Sequence, residues 1–295
     1  MNRAREPRRP GFWPLALVFA LFVLFLYGPV ITIFVLSFQG PQGGLTFPLS
    51  GLSLHWYGEL SRGLGVVDIG AALRRSFVLG TVVMVLTVLL SLAAGLAFRK
   101  KLGGGDALFY VTVASLIMPS IIVSLGIALQ FRLLDVAIKV ALEALGMPSA
   151  LEGFTTSLGL FTSGLGAHLT WTLPFGLLIM FAVFNRFNPA YEEAARDLGA
   201  TPWQSFRHVV LPLVAPSVVG IGMFGFTLSW DEIARSSQAI GDLNTLPLEL
   251  QGLTTTVTTP AIYALGTLTT LISLLVIALA LGSAALLRRR RGGAR

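Results

Sequence analysis

The chain has 295 residues, of which 54% are hydrophobic and only 12% are charged, and its mean hydropathy is +0.79. A soluble domain has about a quarter charged residues, so this composition indicates that most of the chain lies in lipid. There is no cysteine, which excludes disulfides and thiolate metal sites. His55, His168 and His208 show no metal-ligand spacing, and we predict no metal site.

Six apolar stretches are long enough to cross about 30 Å of hydrocarbon, which takes about 20 helical residues. In chain order they cover about 13–37, 76–98, 107–131, 158–184, 212–230 and 262–287. The pattern predicts an all-α integral membrane protein with six transmembrane helices. The first stretch is longer than the roughly 7–15 apolar residues of a signal peptide, so we interpret it as a retained anchor.

Two connecting segments have a distinct composition. The segment of about 38–75 is rich in Gly and Pro, and we expect it to be mostly unstructured. In the segment 133–143 the apolar residues recur at helical spacing between charged ones, which predicts a separate amphipathic helix on the outer membrane surface.

The distribution of basic residues predicts the orientation. With the N-terminus inside, 15 of the 21 lysines and arginines lie on the cytoplasmic side, as membrane proteins require. Both termini are then cytoplasmic, and basic tails of 1–12 and 288–295 flank a transmembrane domain of 13–287. The net charge of +7 is thereby explained by topology and contact with membrane lipid, without nucleic acid.

The most polar continuous stretch is 187–212, a loop on the predicted cytoplasmic side. Asn188 is a good N-cap and Pro189 suits the first helical position. Glu192 and Glu193 follow in the first turn, where acidic side chains complement the helix dipole. These signals predict a short helix.

A second short helix is predicted directly afterwards. Gly199 can end the first helix by adopting positive φ, and Thr201 with Gln204 forms a T-x-x-Q capping box. Pro212 then begins the next span. We therefore expect two short helices joined by a glycine turn and held between two membrane helices.

The loop also has groups that suit docking of another protein. Ala194 and Ala195 form a shallow ridge beside Glu193, which allows close backbone approach and a charge-assisted bond. Trp203 and Phe206 are aromatic anchors of the type that dominate interfaces. The alternative is a well-capped connector packed on its own bundle, and the residues alone leave both interpretations open.

The loop sequence resembles a known motif. Glu193-Ala194-Ala195, then Gly199, then Val209-Val210-Leu211-Pro212 resemble the EAA loop of bacterial ABC importer permeases, EAA-x3-G-x9-I-x-LP. The only departure is Val209, where isoleucine is usual. The resemblance implies a type I ABC importer permease fold in which this loop is a coupling helix seated on an ATP-binding subunit.

The resemblance extends over about 72–284 and implies partners as well as a site. The partners are a dimer of ATP-binding subunits, a second homologous permease and an extracytoplasmic substrate-binding protein, in the bacterial inner membrane. The docking residues are expected to be Glu192, Glu193, Ala194, Ala195, Asp197, Gly199, Trp203, Phe206, Leu211 and Pro212.

Three further strings are similar to spermidine/putrescine-type permeases. They are His168-x-x-Trp171-x-x-Pro174-Phe175, Ser229-Trp230-Asp231-Glu232 and Asn244-Thr245-Leu246-Pro247. They imply a polyamine substrate, whereas Arg74-Arg75 and Trp230 depart from that group. Permeases for iron(III), phosphonates or other small solutes share parts of these strings and stay as alternatives.

A possible substrate path follows from the same strings. Asp231 and Glu232 end the fifth span, where carboxylates would favour a polycation. Trp171 and Trp230 could stack on alkylammonium groups, although interfacial tryptophan belts are the commoner explanation. His168 is included as a path residue, with a satisfied interfacial histidine as the alternative.

Several functional motifs are absent from the sequence. Lysine occurs only at 100, 101 and 139, never within G-x4-G-K-[ST], so ATP is expected to be used by a partner subunit and no cofactor is bound by this chain. No catalytic motif suggests a membrane enzyme. A secondary transporter would usually carry ionisable residues inside its spans, and these spans have few.

Overall fold

The computed structural model describes residues 11–63, 68–99, 105–256 and 259–292. Within these ranges six helices have the length and composition to cross a membrane, which confirms the predicted number of spans. They are Phe12–Leu36, Ile69–Phe98, Ser120–Ala144, Leu160–Asn185, Pro202–Trp230 and Ala261–Leu279. Residues 1–10 and 293–295 of the two predicted tails lie outside the described residues.

The helices are α1 (Phe12–Leu36), α2 (His55–Arg62), α3 (Ile69–Phe98), α4 (Gly105–Ala114), α5 (Ser120–Ala144), α6 (Pro148–Gly153), α7 (Leu165–Asn185), α8 (Ala190–Asp197), α9 (Pro202–Ser205), α10 (Leu211–Trp230), α11 (Ser236–Ala239), α12 (Leu246–Thr256) and α13 (Ala261–Gly292). Two π-helical segments, Leu160–Gly164 and Phe206–Val210, lead directly into α7 and α10. Helix α13 thus continues through the arginines that were expected to form a tail.

The chain forms two compact units, one of 1–66 with 253–271 and one of 67–252 with 272–295. In the first, the segment after α1 is ordered by the buried side chain of Gln39. Its Nε2 donates to the carbonyl of Gly44 at 3.2 Å, and its Oε1 accepts from the backbone of Ser50 at 2.7 Å. With α2 and a backbone bridge between Gln39 and Leu52, this shows that the expectation of a mostly unstructured segment was wrong.

The second unit is built on α3, α7 and α10. Their core joins Met180 and Phe184 of α7 to Val214 and Ile221 of α10. Helices α3 and α7 approach so closely that a Cβ on Gly176 would lie 2.1 Å from the Ser91 Oγ. Small residues permit this contact, which is how membrane helices gain packing where lipid provides no hydrophobic driving force. We call the end of this unit that carries residues 187–212 the loop end, and the opposite end the far end.

The predicted third span, 107–131, was wrong. Pro119 lacks a backbone N–H and disfavours the helical conformation of the residue before it, and its own extended backbone places it at the N-cap of α5. The apolar stretch divides there into the short α4 and the membrane-length α5. The segment 133–143 is the second half of α5 and not a separate surface helix, because no residue between Ser120 and Ala144 interrupts the helical bonding.

Two other spans begin earlier than predicted. The side chain of Asp68 accepts a hydrogen bond from the Ala71 N–H at 2.9 Å and starts α3 at Ile69, so Arg74 and Arg75 lie within the helix. The fifth span starts at Pro202, since helix continues from α9 through the π-helical segment Phe206–Val210 into α10. Pro212 therefore does not begin a helix, and the wider π turn before it leaves room for its ring.

Candidate functional site

The predicted docking loop begins with a capped helix. The side chain of Asn188 accepts a hydrogen bond from the Ala190 N–H at 3.0 Å, as an N-cap residue does. Helix α8 starts at Ala190, one residue after Pro189, with Glu192 and Glu193 in its first turn. The predicted start of this helix is confirmed to within one residue.

Gly199 forms the turn that the sequence predicts. Its φ of +82° is the left-handed conformation that favours glycine. The Gly199 N–H donates to the Arg196 carbonyl at 2.8 Å and the Ala200 N–H to the Ala195 carbonyl at 3.0 Å, which together make a Schellman motif. Two of the carbonyls at the C-terminal end of α8 are thereby satisfied inside the loop itself.

The capping box that follows is also confirmed. The Gln204 N–H donates to the Thr201 hydroxyl at 3.3 Å, and the Thr201 N–H donates to the Gln204 side chain at 2.8 Å. Because α9 continues into α10, the loop is joined rigidly to a membrane helix. A force on the loop would be transmitted along α10 without an intervening flexible joint.

An ion pair attaches the loop to α3. The Arg99 guanidinium donates to both carboxylate oxygens of Glu192, at 3.2 and 2.5 Å, in the bidentate arrangement that makes such pairs strong. The same guanidinium lies over the rings of Phe184 and Phe187, with its Cζ 5.2 and 4.9 Å from their centroids. Glu192 therefore faces its own bundle, while the neighbouring Glu193 is exposed.

The loop presents an exposed surface of acidic, small and apolar residues. Glu193, Ala194 and Asp197 are exposed, and Leu198 and Trp203 keep 90% and 64% of their surface accessible. The other predicted docking residues, Ala195, Phe206, Leu211 and Pro212, are only partly accessible.

A cavity of about 1100 Å³ lies behind this surface, between the loop and the ends of α3 and α7. Arg99, Phe181, Trp203 and Phe206 are among its lining residues. The loop is therefore attached at its ends and through Glu192, and it is not packed flat on the bundle.

At the far end, His168 is completely buried and both of its ring nitrogens have a partner. Nδ1 lies 2.8 Å from the Ser229 Oγ, and Nε2 lies 2.9 Å from the Ser236 Oγ. The Ser236 hydroxyl donates to the Glu232 carbonyl, so it accepts from Nε2–H of His168. The buried imidazole thus joins α7 to the segment after α10.

Trp230, another residue predicted for the path, is also inside the fold. Only 2% of its surface is accessible, and its ring stacks on Phe226 with centroids 5.6 Å apart. This packing is expected at the end of a span that turns back into the protein. Of the two predicted tryptophans, Trp171 alone is partly exposed.

The two predicted acids have different environments. The Glu232 carboxylate accepts a hydrogen bond from the Arg235 N–H at 2.8 Å and so starts the turn leading to α11. Asp231 is exposed, and partial desolvation of its carboxyl raises its pKa above the ordinary value.

Sequence analysis missed two arginines that organise these sites, Arg99 and Arg235. Arg235 is completely buried, and its guanidinium donates to the Thr170 hydroxyl and lies 5.0 Å from the centre of the Trp171 ring. Both residues had been counted only as charges that set the topology. A signal was present for Arg99, a cation at the end of an apolar stretch, but its partner lies 93 positions away in sequence.

The fold and loop together define a class: a multi-pass helical membrane protein with a rigid, exposed helical loop between two of its spans. A sequence model of the family described as "Binding-protein-dependent transport system inner membrane component" matches residues 69–292. The chain belongs to this family. It is a permease of an ABC importer and a multi-pass protein of the bacterial inner membrane.

Individual relatives agree with this family. The putrescine transport system permease protein PotI of Escherichia coli (strain K12) is 29% identical over 277 residues, covering 91% of this chain and 88% of the relative. The spermidine/putrescine transport system permease protein PotC of Haemophilus influenzae is 28% identical over 256 residues, covering 86% and 90%.

Solved structures show the same fold. A chain from the crystal structure of a bacterial ABC transporter involved in the import of the acidic polysaccharide alginate has a TM-score of 0.63 and 14% sequence identity. The match covers 93% of this chain and 96% of that one. A chain of the bacterial alginate transporter in complex with an alginate pentasaccharide-bound periplasmic protein has a TM-score of 0.58 and 16% sequence identity. The match covers 95% of this chain and 93% of that one. The expectation of an ABC importer permease fold is thereby confirmed.

Proposed function

We propose that this permease conducts a polyamine, spermidine or putrescine, into the cell and that a separate ATPase drives it by docking on residues 187–212. The complete importer then contains two ATP-binding subunits, a second homologous permease and an extracytoplasmic binding protein. ATP binding closes the ATPase dimer, and the docked loops convert that closure into movement of the spans between inward-facing and outward-facing states.

The observation that supports docking is the combination of rigidity and exposure in the loop. Its turn and both helix starts are satisfied by local hydrogen bonds, and α9 continues into a membrane helix. At the same time Glu193, Ala194 and Leu198 are open to solvent. A surface that has to receive a force needs both properties, whereas a simple connector needs neither.

A charge reversal at Glu193 tests the docking role. In the purified importer, Glu193→Arg should lower binding-protein-stimulated ATP hydrolysis about tenfold, because a fixed carboxylate on the interface becomes a cation. The matched control is Glu152→Arg, the same change at an exposed residue of α6. Wild-type assembly and stimulated hydrolysis in Glu193→Arg would show that the loop does not dock the ATPase through this residue.

The polyamine substrate is supported by the two relatives with polyamine names and by Asp231 and Glu232 at the far end. Carboxylates close to the end of a span attract a polycation and repel an anion. Trp171, a partly exposed residue of α7 toward the far end, supplies an aromatic face on which an alkylammonium can lie.

A second candidate, import of a phosphonate, has one observation in its favour. A cavity of about 650 Å³ at the far end is lined by Arg74 and Arg75 together with Asp68 and Phe161. Arg75 is engaged with the Asn244 carbonyl at 2.8 Å, whereas Arg74 is exposed. Arginine at such a position suits an anionic oxygen ligand better than a polycation.

Binding measurements on the partner binding protein distinguish the two substrates. We expect calorimetric titration with spermidine or putrescine to give a Kd in the micromolar range or below, and titration with alkylphosphonate or iron(III) to give no heat. Tight phosphonate binding without polyamine binding would reverse the proposal.

A further inference from the structure

Arg235 is a buried cation with an incomplete set of partners. The residue has no accessible surface, and its guanidinium makes one hydrogen bond with the residues that the structure describes, from Nη1 to the Thr170 hydroxyl. Within the described part of the chain, Nε and Nη2 are buried and have no hydrogen-bond partner. The aromatic face of Trp171, 5.0 Å from Cζ, provides the remaining attraction.

The backbone around Arg235 is held in place, so the position of its side chain is not a consequence of a loose segment. The Ser124 hydroxyl of α5 donates to the Arg235 carbonyl at 2.8 Å. Ser236, the next residue, hydrogen-bonds to His168 of α7 at 2.9 Å. Glu232 accepts from the Arg235 N–H at 2.8 Å. The fold therefore directs a cation at the Trp171 ring and provides it with no carboxylate hydrogen bond there.

This arrangement costs free energy. A buried guanidinium normally forms several hydrogen bonds or an ion pair, because removing its charge from water is expensive. Burial accordingly lowers the pKa of Arg235, and the nearby Glu232 carboxylate opposes this effect only in part. An ion pair with Glu232 or with the exposed Asp231 would lower that cost, but the guanidinium points to the ring.

The groups that hold the guanidinium are those that bind an alkylammonium. An indole face attracts ammonium and guanidinium ions in the same way, and a carboxylate nearby strengthens the attraction. The chain is also a transporter, for which cationic substrates are proposed above. The position of the Arg235 guanidinium on the Trp171 ring thus has the chemistry expected of a subsite for one ammonium group of the substrate.

We propose that Arg235 is a tethered competitor that occupies an ammonium subsite on the face of Trp171, and that substrate displaces its guanidinium toward Asp231 and Glu232. The inference rests on the proposed polyamine function. In this proposal Trp171 contacts an ammonium group of the substrate. Arg235 excludes small cations, which bind too weakly to displace its guanidinium.

Removing the competitor is the direct test. The permease complex with its ATPase is placed in lipid nanodiscs without binding protein, and retention of radiolabelled spermidine is measured. Arg235→Gln should lower the Kd for spermidine about tenfold, because the indole face becomes free while an amide can still donate to Thr170. Arg235→Lys keeps the cation and should stay within about threefold of the wild type. Equal affinities of wild type and Arg235→Gln overturn the proposal.

A milder pair of variants applies if Arg235→Gln does not fold. Thr170→Val removes the only hydrogen-bond acceptor that the described residues offer the guanidinium, while Thr170→Ser keeps it. Thr170→Val should bind spermidine about threefold more tightly than Thr170→Ser, since the competitor is held less firmly. No difference between the two variants, or weaker binding by Thr170→Val, overturns the proposal.

A third measurement separates the subsite from the substrate. Spermidine uptake by the wild-type importer, with its binding protein present, is measured in proteoliposomes. Uptake together with an unchanged Kd in Arg235→Gln overturns the Arg235 subsite and leaves the proposed function standing. Absence of uptake, with phosphonate uptake instead, overturns the proposed function itself.

Discussion

At the residue scale, the fold of the second unit depends on hydrogen bonds between a few buried polar side chains. His168 is the clearest case, because two serines from different segments converge on its ring. Removing the imidazole takes away the hydrogen-bond partner of the buried Ser229 hydroxyl and the donor to Ser236, which keeps its own bond to the Glu232 carbonyl.

His168→Ala should therefore destabilise the protein by about 1–3 kcal/mol, the cost of leaving buried polar groups unpaired. Thermal unfolding of the detergent-solubilised protein measures this effect. Ser237→Ala, which removes an exposed hydroxyl from the same segment, is the control and should leave the unfolding temperature unchanged. An unfolding temperature for His168→Ala equal to that of the wild type would contradict the assigned role.

Asp231 predicts a dependence of stability on pH. Its pKa in the folded protein is raised by desolvation, so the folded state binds this proton more tightly than the unfolded chain does. The stability that this bound proton contributes is fully present below the pKa of Asp231 in the unfolded chain, about 3.9. It is lost as the pH rises through the pKa of Asp231 in the folded protein. Asp231→Asn cannot lose a proton, so it should gain stability relative to the wild type as the pH rises across this window. Unfolding temperatures of both proteins at a series of pH values measure the difference, and a difference that is constant with pH would contradict the prediction.

At the element scale, the loop of 187–212 is held by two kinds of interaction. Its helix ends and turn are stabilised by hydrogen bonds between residues a few positions apart, as in any well-capped pair of short helices. Its attachment to α3 depends on the ion pair between Arg99 and Glu192, which is largely shielded from solvent, and on the stacking of Arg99 on Phe187. The second kind decides how the loop is oriented on the bundle.

A charge swap tests this attachment. Arg99→Glu and Glu192→Arg each place two like charges in a partly buried site and should weaken the ATPase activity of the complete importer. The double variant restores opposite charges and should recover part of that activity, with a coupling free energy of about 0.5–3 kcal/mol. Recovery is expected to be incomplete because a glutamate at 99 cannot stack on Phe184 and Phe187. Purely additive losses in the double variant would show that the pair does not orient the loop.

At the scale of the whole molecule, the orientation in the membrane is the remaining sequence-based prediction that can be tested directly. The basic residues predict that the loop lies in the cytoplasm and that the segment after α10 lies outside. The absence of cysteine from the sequence makes the test simple, because an introduced thiol has no background.

Leu198→Cys and Ser237→Cys provide exposed thiols at the loop end and at the far end. In spheroplasts, a membrane-impermeant maleimide should label Ser237→Cys directly and should label Leu198→Cys only after the membrane is permeabilised. Both variants are treated with the maleimide before and after permeabilisation, so each is a control for the other. The opposite labelling pattern would invert the proposed topology.

Local features of the loop were predictable because their causes are local. The Asn188 cap, the positive φ of Gly199 and the capping box of Thr201 each depend on residues within about four positions of one another. The breaks in the spans were harder to place. Pro119 lies directly before the start of a helix, whereas Pro29, Pro174 and Pro216 lie inside theirs, and the sequence pattern around these residues does not distinguish the two outcomes.

The sequence by itself determined the class of protein: its composition requires lipid, its apolar stretches give six spans, and its loop motif indicates an ABC importer permease. The tertiary structure decided which polar residues meet. His168 and Trp230 lie inside the fold, Glu192 faces Arg99, and Arg235 faces Trp171 from 64 positions away. The physical reason is that hydropathy and capping act along the chain, whereas the partner of a buried charge is set by the packing of helices distant in sequence.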